Sequence, residues 1–231
     1  MSVKSSGKPW SKMPTEWIDN EIIRTFQWQD DGSTGTAALI IFFTLCHHAT
    51  SHTPSISTEP LTVARLSYDA INDLSGLSRK LISKGLARLE EAEMISRLGP
   101  GYSGGYEILG LERGQRWAKL PCRALLSGAG TSFKPFSNFT LRSLHELNAM
   151  KLYLYYVGIR DSKRPYSAAR YETINNRLCI PERNIPRANS FLLAAGLLHR
   201  IERRVDPGED QPYGPNQYFM EGYKDIFKPT T

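Results

Sequence analysis

Four polar side chains near the middle of the chain could together bind a polyanion. Arg79, Lys80, Ser83 and Lys84 are spaced i, i+1, i+4 and i+5, so on a helix they share one face. An arginine can pair bidentately with guanine O6 and N7, whereas lysine and serine can reach bases or phosphates. The spacing predicts a basic helix face, extending to Ala87, that could bind a polyanion such as nucleic acid. The alternative is a solvated basic face without a ligand, because such faces are common.

Three residues next to this helix are further candidates for DNA contact. Ser78 immediately precedes the helix, Arg97 lies at the base of the hairpin that follows it, and Tyr102 lies at the glycine-rich tip of that hairpin. Such a tip can reach phosphates or the minor groove, or it can be an ordinary flexible turn. Both alternatives remain open for the hairpin.

A repeat in the sequence shows which elements must position these side chains. Residues 66–98 align with residues 169–201 without a gap, with Tyr68 on Tyr171, and the matches fall mostly on apolar positions. A repeated apolar pattern indicates a repeated core, so the chain contains two copies of one folding unit. The motif Lys-Met-Pro at 12–14 returns as Lys-Leu-Pro in the second half and extends the repeat.

The first copy has the order helix, strand, helix, turn, helix, hairpin. Ser67 and Ser78 are the predicted N-caps of the two paired helices, and Gly76 supplies the tight turn between them. Two helices follow the caps Ser67 and Ser78, and the other predicted helices lie over 15–25, 36–48, 140–161, 171–178 and 187–196. The predicted strands lie over 61–63, 94–98, 105–111, 197–205 and 216–220.

The second copy differs from the first at its second paired helix. Pro186 has no counterpart in the first copy, and a proline inside a helix costs about 3 kcal/mol. We therefore expect this helix to begin near Asn184 or Ile185, with Pro186 in its first turn. The candidate DNA contacts of this copy are Arg183, Arg187 and Ser190.

The second copy also carries an acidic hairpin loop, Asp206–Asp210, which phosphate would repel. Two alternatives therefore remain for this copy. It binds DNA as the first copy does, or it packs against the first copy or against a partner chain.

The first copy resembles a winged helix-turn-helix domain. The residues that carry the resemblance are SYDAINDLSGLSRKLISKGLARLEEAEMI, followed by the wing SRLGPGYSGGYEILG. The resemblance implies a mostly α fold with small β-hairpins and two tandem winged helix-turn-helix domains, an architecture similar to that of plasmid replication initiator proteins. It also implies that the second helix of each pair enters the major groove. The predicted organisation is a disordered basic tail over 1–11, domain 1 over 12–111, a connector over 112–118 and domain 2 over 119–231.

The bulk composition agrees with a globular protein that has a polyanionic partner. The formal net charge is +6, with 29 basic and 23 acidic residues. Cys46, Cys122 and Cys179 are widely spaced, which indicates free thiols in a reducing compartment. No apolar run is long enough to span a membrane and the first residues lack a signal-peptide pattern, so we expect a cytoplasmic protein without a membrane partner.

No catalytic arrangement is visible in the sequence. Cys46, His47 and His48 are adjacent, so on a helix they point in different directions and do not form a metal site. We expect no enzyme activity, no metal and no cofactor. The expected function is binding of double-stranded DNA, in replication initiation on a plasmid or mobile element. The alternatives are a transcriptional regulator and a winged-helix scaffold that binds protein; homodimerisation or contact with replication or transcription proteins is compatible with each.

Overall fold

The structure, a computed structural model, describes residues 8–52, 61–99, 105–112, 114–161, 163–203 and 214–227. About half of these residues are helical, and the rest include three small antiparallel sheets. The expected mixture of helices and β-hairpins is therefore confirmed at this level. Helices of one half pack on helices of the other, and the buried apolar side chains form one continuous cluster that takes in both halves.

The elements of the first half run from the N-terminus to the first hairpin. In chain order they are β1 (Trp10–Pro14), α1 (Glu16–Asp19), a 3-10 turn (Ile22–Thr25), α2 (Trp28–Asp31), α3 (Ser33–His48), β2 (Thr50–His52), β3 (Leu61–Ala64), α4 (Tyr68–Ser75), α5 (Arg79–Glu91), β4 (Ile95–Arg97) and β5 (Tyr106–Ile108). Strands β2, β3, β5 and β4 form one sheet in that order.

The elements of the second half begin with a strand that matches β1. In chain order they are β6 (Trp117–Pro121), 3-10 turns (Arg123–Leu125 and Lys134–Asn138), α6 (Leu144–Gly158), β7 (Ser167–Ala169), α7 (Tyr171–Leu178), a 3-10 turn (Glu182–Asn184), α8 (Ile185–Ala194), β8 (Leu198–Glu202), β9 (Asn216–Met220) and α9 (Tyr223–Ile226). Strands β7, β9 and β8 form the second sheet in that order.

The first helix of each pair and the turn that follows it lie at aligned positions of the repeat. Helices α4 and α7 begin at the aligned residues Tyr68 and Tyr171 and have the same length. The turn after each helix contains a left-handed residue at the aligned position, Gly76 in the first half and Cys179 in the second. A left-handed backbone suits glycine and strains cysteine, so the fold keeps this turn in the second half although the glycine is absent.

Strands β1 and β6 join the two halves as a two-stranded antiparallel sheet. Their register pairs residues of the repeat with one another, because Lys12 faces its counterpart Lys119, and Trp10 faces Pro121, the counterpart of Pro14. The side chains repeat the same symmetry: the two tryptophan rings stack with centroids 5.7 Å apart, and each lysine lies over the tryptophan of the other strand. The pairing is that of a two-fold dimer, here within one chain.

Several predicted boundaries differ from the structure. The helix over 15–25 is interrupted by a left-handed Glu21, with φ of 64°, which separates α1 from the 3-10 turn. The disordered tail predicted over 1–11 is wrong for Trp10 and Ser11, which belong to β1; residues 1–7 lie outside the described part of the chain. Trp117 and Ala118, predicted as part of the connector over 112–118, belong to β6.

The helix predicted over 140–161 is shorter than expected because a capping box sets its start. Glu146 accepts hydrogen bonds from the backbone N–H groups of Thr140 and Ser143, and the Ser143 side chain caps the first turn of α6. These bonds satisfy donors that would otherwise have no partner at a helix start. The residues before Leu144 therefore form a loop.

Gly85 of α5 is buried against α3. A Cβ at this position would lie 2.6 Å from Ile41 Cδ1 and 3.1 Å from the backbone nitrogen of Ala38. Gly85 therefore lets two helices approach closely inside the core and does not face a ligand.

Replacing Gly85 with valine should destabilise the protein by about 2 to 3 kcal/mol, because overpacking displaces α5 from α3. The matched control is Ala87→Val, which adds the larger side chain to the exposed face of the same helix and should cost no more than about 0.5 kcal/mol. Urea unfolding at neutral pH measures both values. Equal stabilities of the two variants would contradict the packing role of Gly85.

A buried lysine lies between the two halves. Lys151 of α6 is 1% exposed, and its ammonium group donates a hydrogen bond of 2.8 Å to the backbone oxygen of Phe26. Burial lowers the pKa of Lys151 to about 8, against the opposing influence of Cys179 and Asp31. The sequence pattern had placed this residue within an apolar helix without assigning it a role.

The buried Lys151 should make the stability of the protein rise with pH between about 8 and 10.5. In that window the unfolded chain keeps a proton on the lysine and the folded chain has lost it, so deprotonation favours folding by about 3 kcal/mol in total. Lys151→Met removes the titrating group and keeps the length of the side chain. Over this range the free energy of unfolding of the wild type should rise by about 3 kcal/mol relative to that of the variant, and parallel curves would refute the assignment.

Candidate nucleic-acid interface

Helix α5 presents the predicted basic face to solvent. Its inner face packs into the core through Ile82, Leu86 and Leu89. The outer face consists of the residues that the spacing predicted, and all are exposed: Arg79, Lys80, Ser83, Lys84 and Ala87. The helical period therefore separates an apolar face from a basic one. Arg79 and Lys80 lie next to each other at the N-terminal end of the helix.

Hydrogen bonds at the start of α5 fix its direction. The Ser78 hydroxyl accepts a hydrogen bond of 3.4 Å from the Leu81 N–H, and the Asn72 amide of α4 donates one of 2.8 Å to the Leu77 oxygen. Gly76 allows the sharp turn with φ of 73°. The predicted cap is confirmed, and the Ser78 side chain is used to start the helix while it remains exposed.

The charges on the outer face of α5 are only partly neutralised within the chain. Arg79 forms an ion pair with Asp69 of α4, and both side chains are about 70% exposed. Within the described residues, neither Lys80 nor Lys84 pairs with a carboxylate. Because an exposed ion pair contributes little, Asp69 competes weakly with a phosphate for Arg79. The sequence analysis missed Asp69.

Arg97, another predicted contact, is held at the base of its hairpin. Its guanidinium donates two hydrogen bonds to the Glu90 carboxylate, of 3.2 and 3.3 Å, and lies 5.7 Å from the ring centroid of Tyr106. Arg97 is thus oriented by Glu90 of α5 and Tyr106 of β5, and contact with DNA stays a prediction for it. Tyr102 lies outside the described residues.

In the second half, α8 begins where Pro186 required. The chain forms a 3-10 turn over Glu182–Asn184, and the α-helix starts at Ile185 with the proline in its first turn, so the expected start is confirmed. Arg183 and Arg187 are exposed beside it. The Ser190 hydroxyl donates a hydrogen bond of 3.0 Å to the Pro186 oxygen, which leaves the two arginines as the main candidates on this face.

Arg88, which the sequence analysis left without a role, ties α5 to α2. Its Nε donates a hydrogen bond of 2.7 Å to Asp31, and its guanidinium lies 4.3 Å from the Phe26 ring centroid. The Arg88 side chain is only 13% exposed. This arginine therefore fixes the C-terminal half of α5, one turn beyond the exposed Lys84.

Each helix pair also contacts the connecting segment of the other half. The Arg24 Nε of the first half donates to the Cys179 sulfur at the end of α7, over 3.0 Å. In the reverse direction, the Phe133 N–H of the second half donates to the Leu74 oxygen of α4, over 2.9 Å. These reciprocal contacts connect the first helix of each pair, α4 and α7, to the other half.

The adjacent residues Cys46, His47 and His48, which could resemble a metal site, lie on α3 and not on the basic face of α5. Cys46 and His47 are buried at the C-terminal end of α3, and His48 is partly buried beside them. Within the described residues, no group of three or more His, Cys, Asp or Glu side chains is arranged to hold a metal ion. The three described cysteines are free thiols.

None of the helices in the described ranges combines the length and the apolar character that crossing a membrane requires. Comparisons with models of protein families, with characterised proteins and with solved structures find no match to this chain. The functional assignment therefore depends on the chemistry of the chain's own surface.

Proposed function

We propose that this protein binds double-stranded DNA without catalysis, and that α5 is its principal contact. The observation that carries the proposal is the exposed face of α5, on which Arg79, Lys80, Ser83 and Lys84 lie together. Two of these cations have no internal partner in the described chain, and the third has an exposed one. Their side chains can donate to guanine and to phosphate oxygens, as a helix in the major groove requires.

The proposed architecture is a pair of tandem winged helix-turn-helix domains. The order of elements supports it: each half has a support helix, a strand, two helices joined by a tight turn, and a hairpin. In this architecture α5 and α8 are the groove-entering helices of the two halves. The pairing of β1 with β6 resembles that of a two-fold dimer. It supports the proposal that one chain presents both α5 and α8, as the two chains of such a dimer would.

The proposed biological role is replication initiation on a plasmid or mobile element, and the alternative is transcriptional regulation. Both roles use the same surface. A direct assay separates them: the coding region with its flanking DNA should support replication of a circular molecule that lacks an origin. A regulator would instead change transcription from the flanking promoter and would not support replication.

A salt titration of duplex binding tests the proposal itself. Each phosphate contact should contribute about −0.9 to the slope of log affinity against log salt concentration, so the affinity should fall steeply between low and physiological salt. A scaffold that binds only protein would show negligible duplex binding at every salt concentration. This second result would eliminate the proposal.

The number of chains bound per site tests the dimer-like arrangement. If one chain presents both helices, a single molecule should protect two successive major-groove segments, about one helical turn apart. Analytical ultracentrifugation of the complex with a short duplex should therefore give one chain per site. Two chains on one such site would contradict this part of the proposal.

A further inference from the structure

The outer face of α8 differs in its chemistry from the outer face of α5. It consists of five exposed residues at helical spacing: Pro186, Arg187, Ser190, Leu193 and Ala194. One of these side chains is charged and three are apolar, whereas the corresponding face of α5 carries three cations. The two halves therefore offer different groups at the surface where each helix would meet a ligand.

Leu193 is the side chain on this face that most needs an explanation. It is 40% exposed, and among the described residues only one other large apolar side chain, Trp117, is as open to solvent. The Trp117 ring is partly covered by its stacking on Trp10. Covering Leu193 with an apolar group would be favourable, because it removes apolar surface from water.

The repeat shows what differs between the two helices at this position. Leu193 and Ala194 align with Glu90 and Glu91 of α5. The two carboxylates are repelled by phosphate, so on α5 they restrict DNA contact to the N-terminal half of the helix. The outer face of α8 carries no carboxylate, so its whole length is compatible with DNA.

The face of α8 also has a suitable length and suitable charges at one end. From Pro186 to Ala194 it extends over about 12 Å, which fits within a major groove about 12 Å wide. Arg183 and Arg187 are exposed at its N-terminal end, where they can pair with phosphates. Glu182 is also exposed, but it lies in the 3-10 turn before the helix.

Apolar side chains on such a face recognise one base in particular. Of the four bases, thymine alone presents a methyl group in the major groove, and apolar side chains contact it there. Arginine and lysine read guanine instead, through its O6 and N7 atoms. The two outer faces therefore suit different bases, thymine for α8 and guanine for α5.

We propose that the outer face of α8 reads thymine methyl groups in the major groove, with Leu193 as its main contact. This proposal rests on the duplex binding proposed above and names the kind of sequence that is bound. One half of the preferred site contains guanine for Arg79 of α5, and the other half contains thymine for α8. The preferred duplex is therefore not a palindrome, although the chain is internally repeated.

A deoxyuridine scan tests the proposal. The full chain first selects its preferred duplex from a random pool, and each thymine of that duplex is then replaced in turn by deoxyuridine, which keeps the base pairing and lacks the methyl group. Fluorescence anisotropy at constant salt measures the affinity. We expect the replacement of at least one thymine to weaken wild-type binding about fourfold, which corresponds to the burial of one methyl-sized group.

Variants of Leu193 identify the side chain that contacts this methyl group. Leu193→Ala and Leu193→Gln both remove the apolar contact, and the second keeps a side chain of similar length. Both should bind the thymine and deoxyuridine duplexes with nearly equal affinity. The matched control Lys84→Ala weakens duplex binding through α5 and should keep the fourfold difference, so a lower affinity does not by itself remove the sensitivity.

The outcomes separate failure of this proposal from failure of duplex binding itself. The proposal alone fails if a duplex binds with a steep salt dependence but the pool gives no preferred sequence or no thymine is sensitive to replacement. It also fails if both Leu193 variants keep the sensitivity; unchanged duplex affinity as well would favour a protein partner for this face. Absence of salt-dependent duplex binding overturns the proposed function itself. The scan of the wild type needs no variant, so it is informative even if a Leu193 variant melts at a lower temperature.

Discussion

Replacing Arg79 and Lys80 together with alanine is expected to weaken duplex binding by about 2 to 4 kcal/mol, or about 30- to 700-fold. Arg79 supplies a bidentate contact with guanine and Lys80 a phosphate contact, and both project from the exposed face of α5. Loss of the Arg79–Asp69 ion pair should matter little for stability, since both side chains are about 70% exposed. Fluorescence anisotropy with a labelled duplex measures the affinity.

Two further variants show whether this loss is specific to α5. The first variant replaces Lys134 and Arg142 with alanine. Both side chains are exposed and lie in the second half, so this variant removes the same charge and should reduce the duplex affinity much less. Asp69→Asn frees Arg79 and removes a negative charge, so it should strengthen binding. A folded Arg79/Lys80 variant with wild-type affinity would exclude α5 as the principal contact.

Acidification is expected to destabilise the protein strongly through His47. Burial, followed by the charges of His48 and Lys8, lowers the pKa of His47 from its ordinary 6.5 to about 3. Between these values the unfolded chain binds a proton on this side chain that the folded chain does not bind, so stability falls as pH falls. The difference of the two values corresponds to about 5 kcal/mol by pH 3 and to about 3 kcal/mol by pH 4.

Comparison with His47→Phe isolates this contribution from that of the other titrating groups. The phenyl ring keeps the packing against Phe133 and cannot be protonated. Urea unfolding of both proteins from pH 7 to pH 4 should therefore show the wild type losing about 3 kcal/mol more than the variant. At neutral pH the variant should be at least as stable, because it removes two unpartnered nitrogens from the interior. Identical acid dependence of the two proteins would show that His47 is accessible to protons in the folded state.

Several local features of the fold were predictable from the sequence. Ser67 and Ser78 cap the helices that they precede, Gly76 makes the left-handed turn, and the outer face of α5 carries the residues that the helical period predicted. The start of α8 at Ile185 followed from the geometry of Pro186. These features depend on interactions within a few residues, which residue type and spacing describe directly.

The relations between distant residues were not predictable in this way. The repeat around Lys12 and Lys119 was visible in the sequence, but its two copies pair with each other as β1 and β6, and nothing in either segment specifies that partner. The same holds for Gly85, whose missing side chain lets α3 approach, and for Arg88, which binds Asp31 of α2.

The sequence by itself determined the repeated unit, the positions of its caps and turns, and the basic face of α5, because hydrophobic periodicity and capping are local properties of the chain. Only the tertiary structure decided that Lys151 and His47 are buried, that Arg88 binds Asp31, and that the two halves share one core. Burial and pairing of these polar groups depend on which distant elements pack together. Residue type alone does not show this, because the same side chain can lie in water or in the interior.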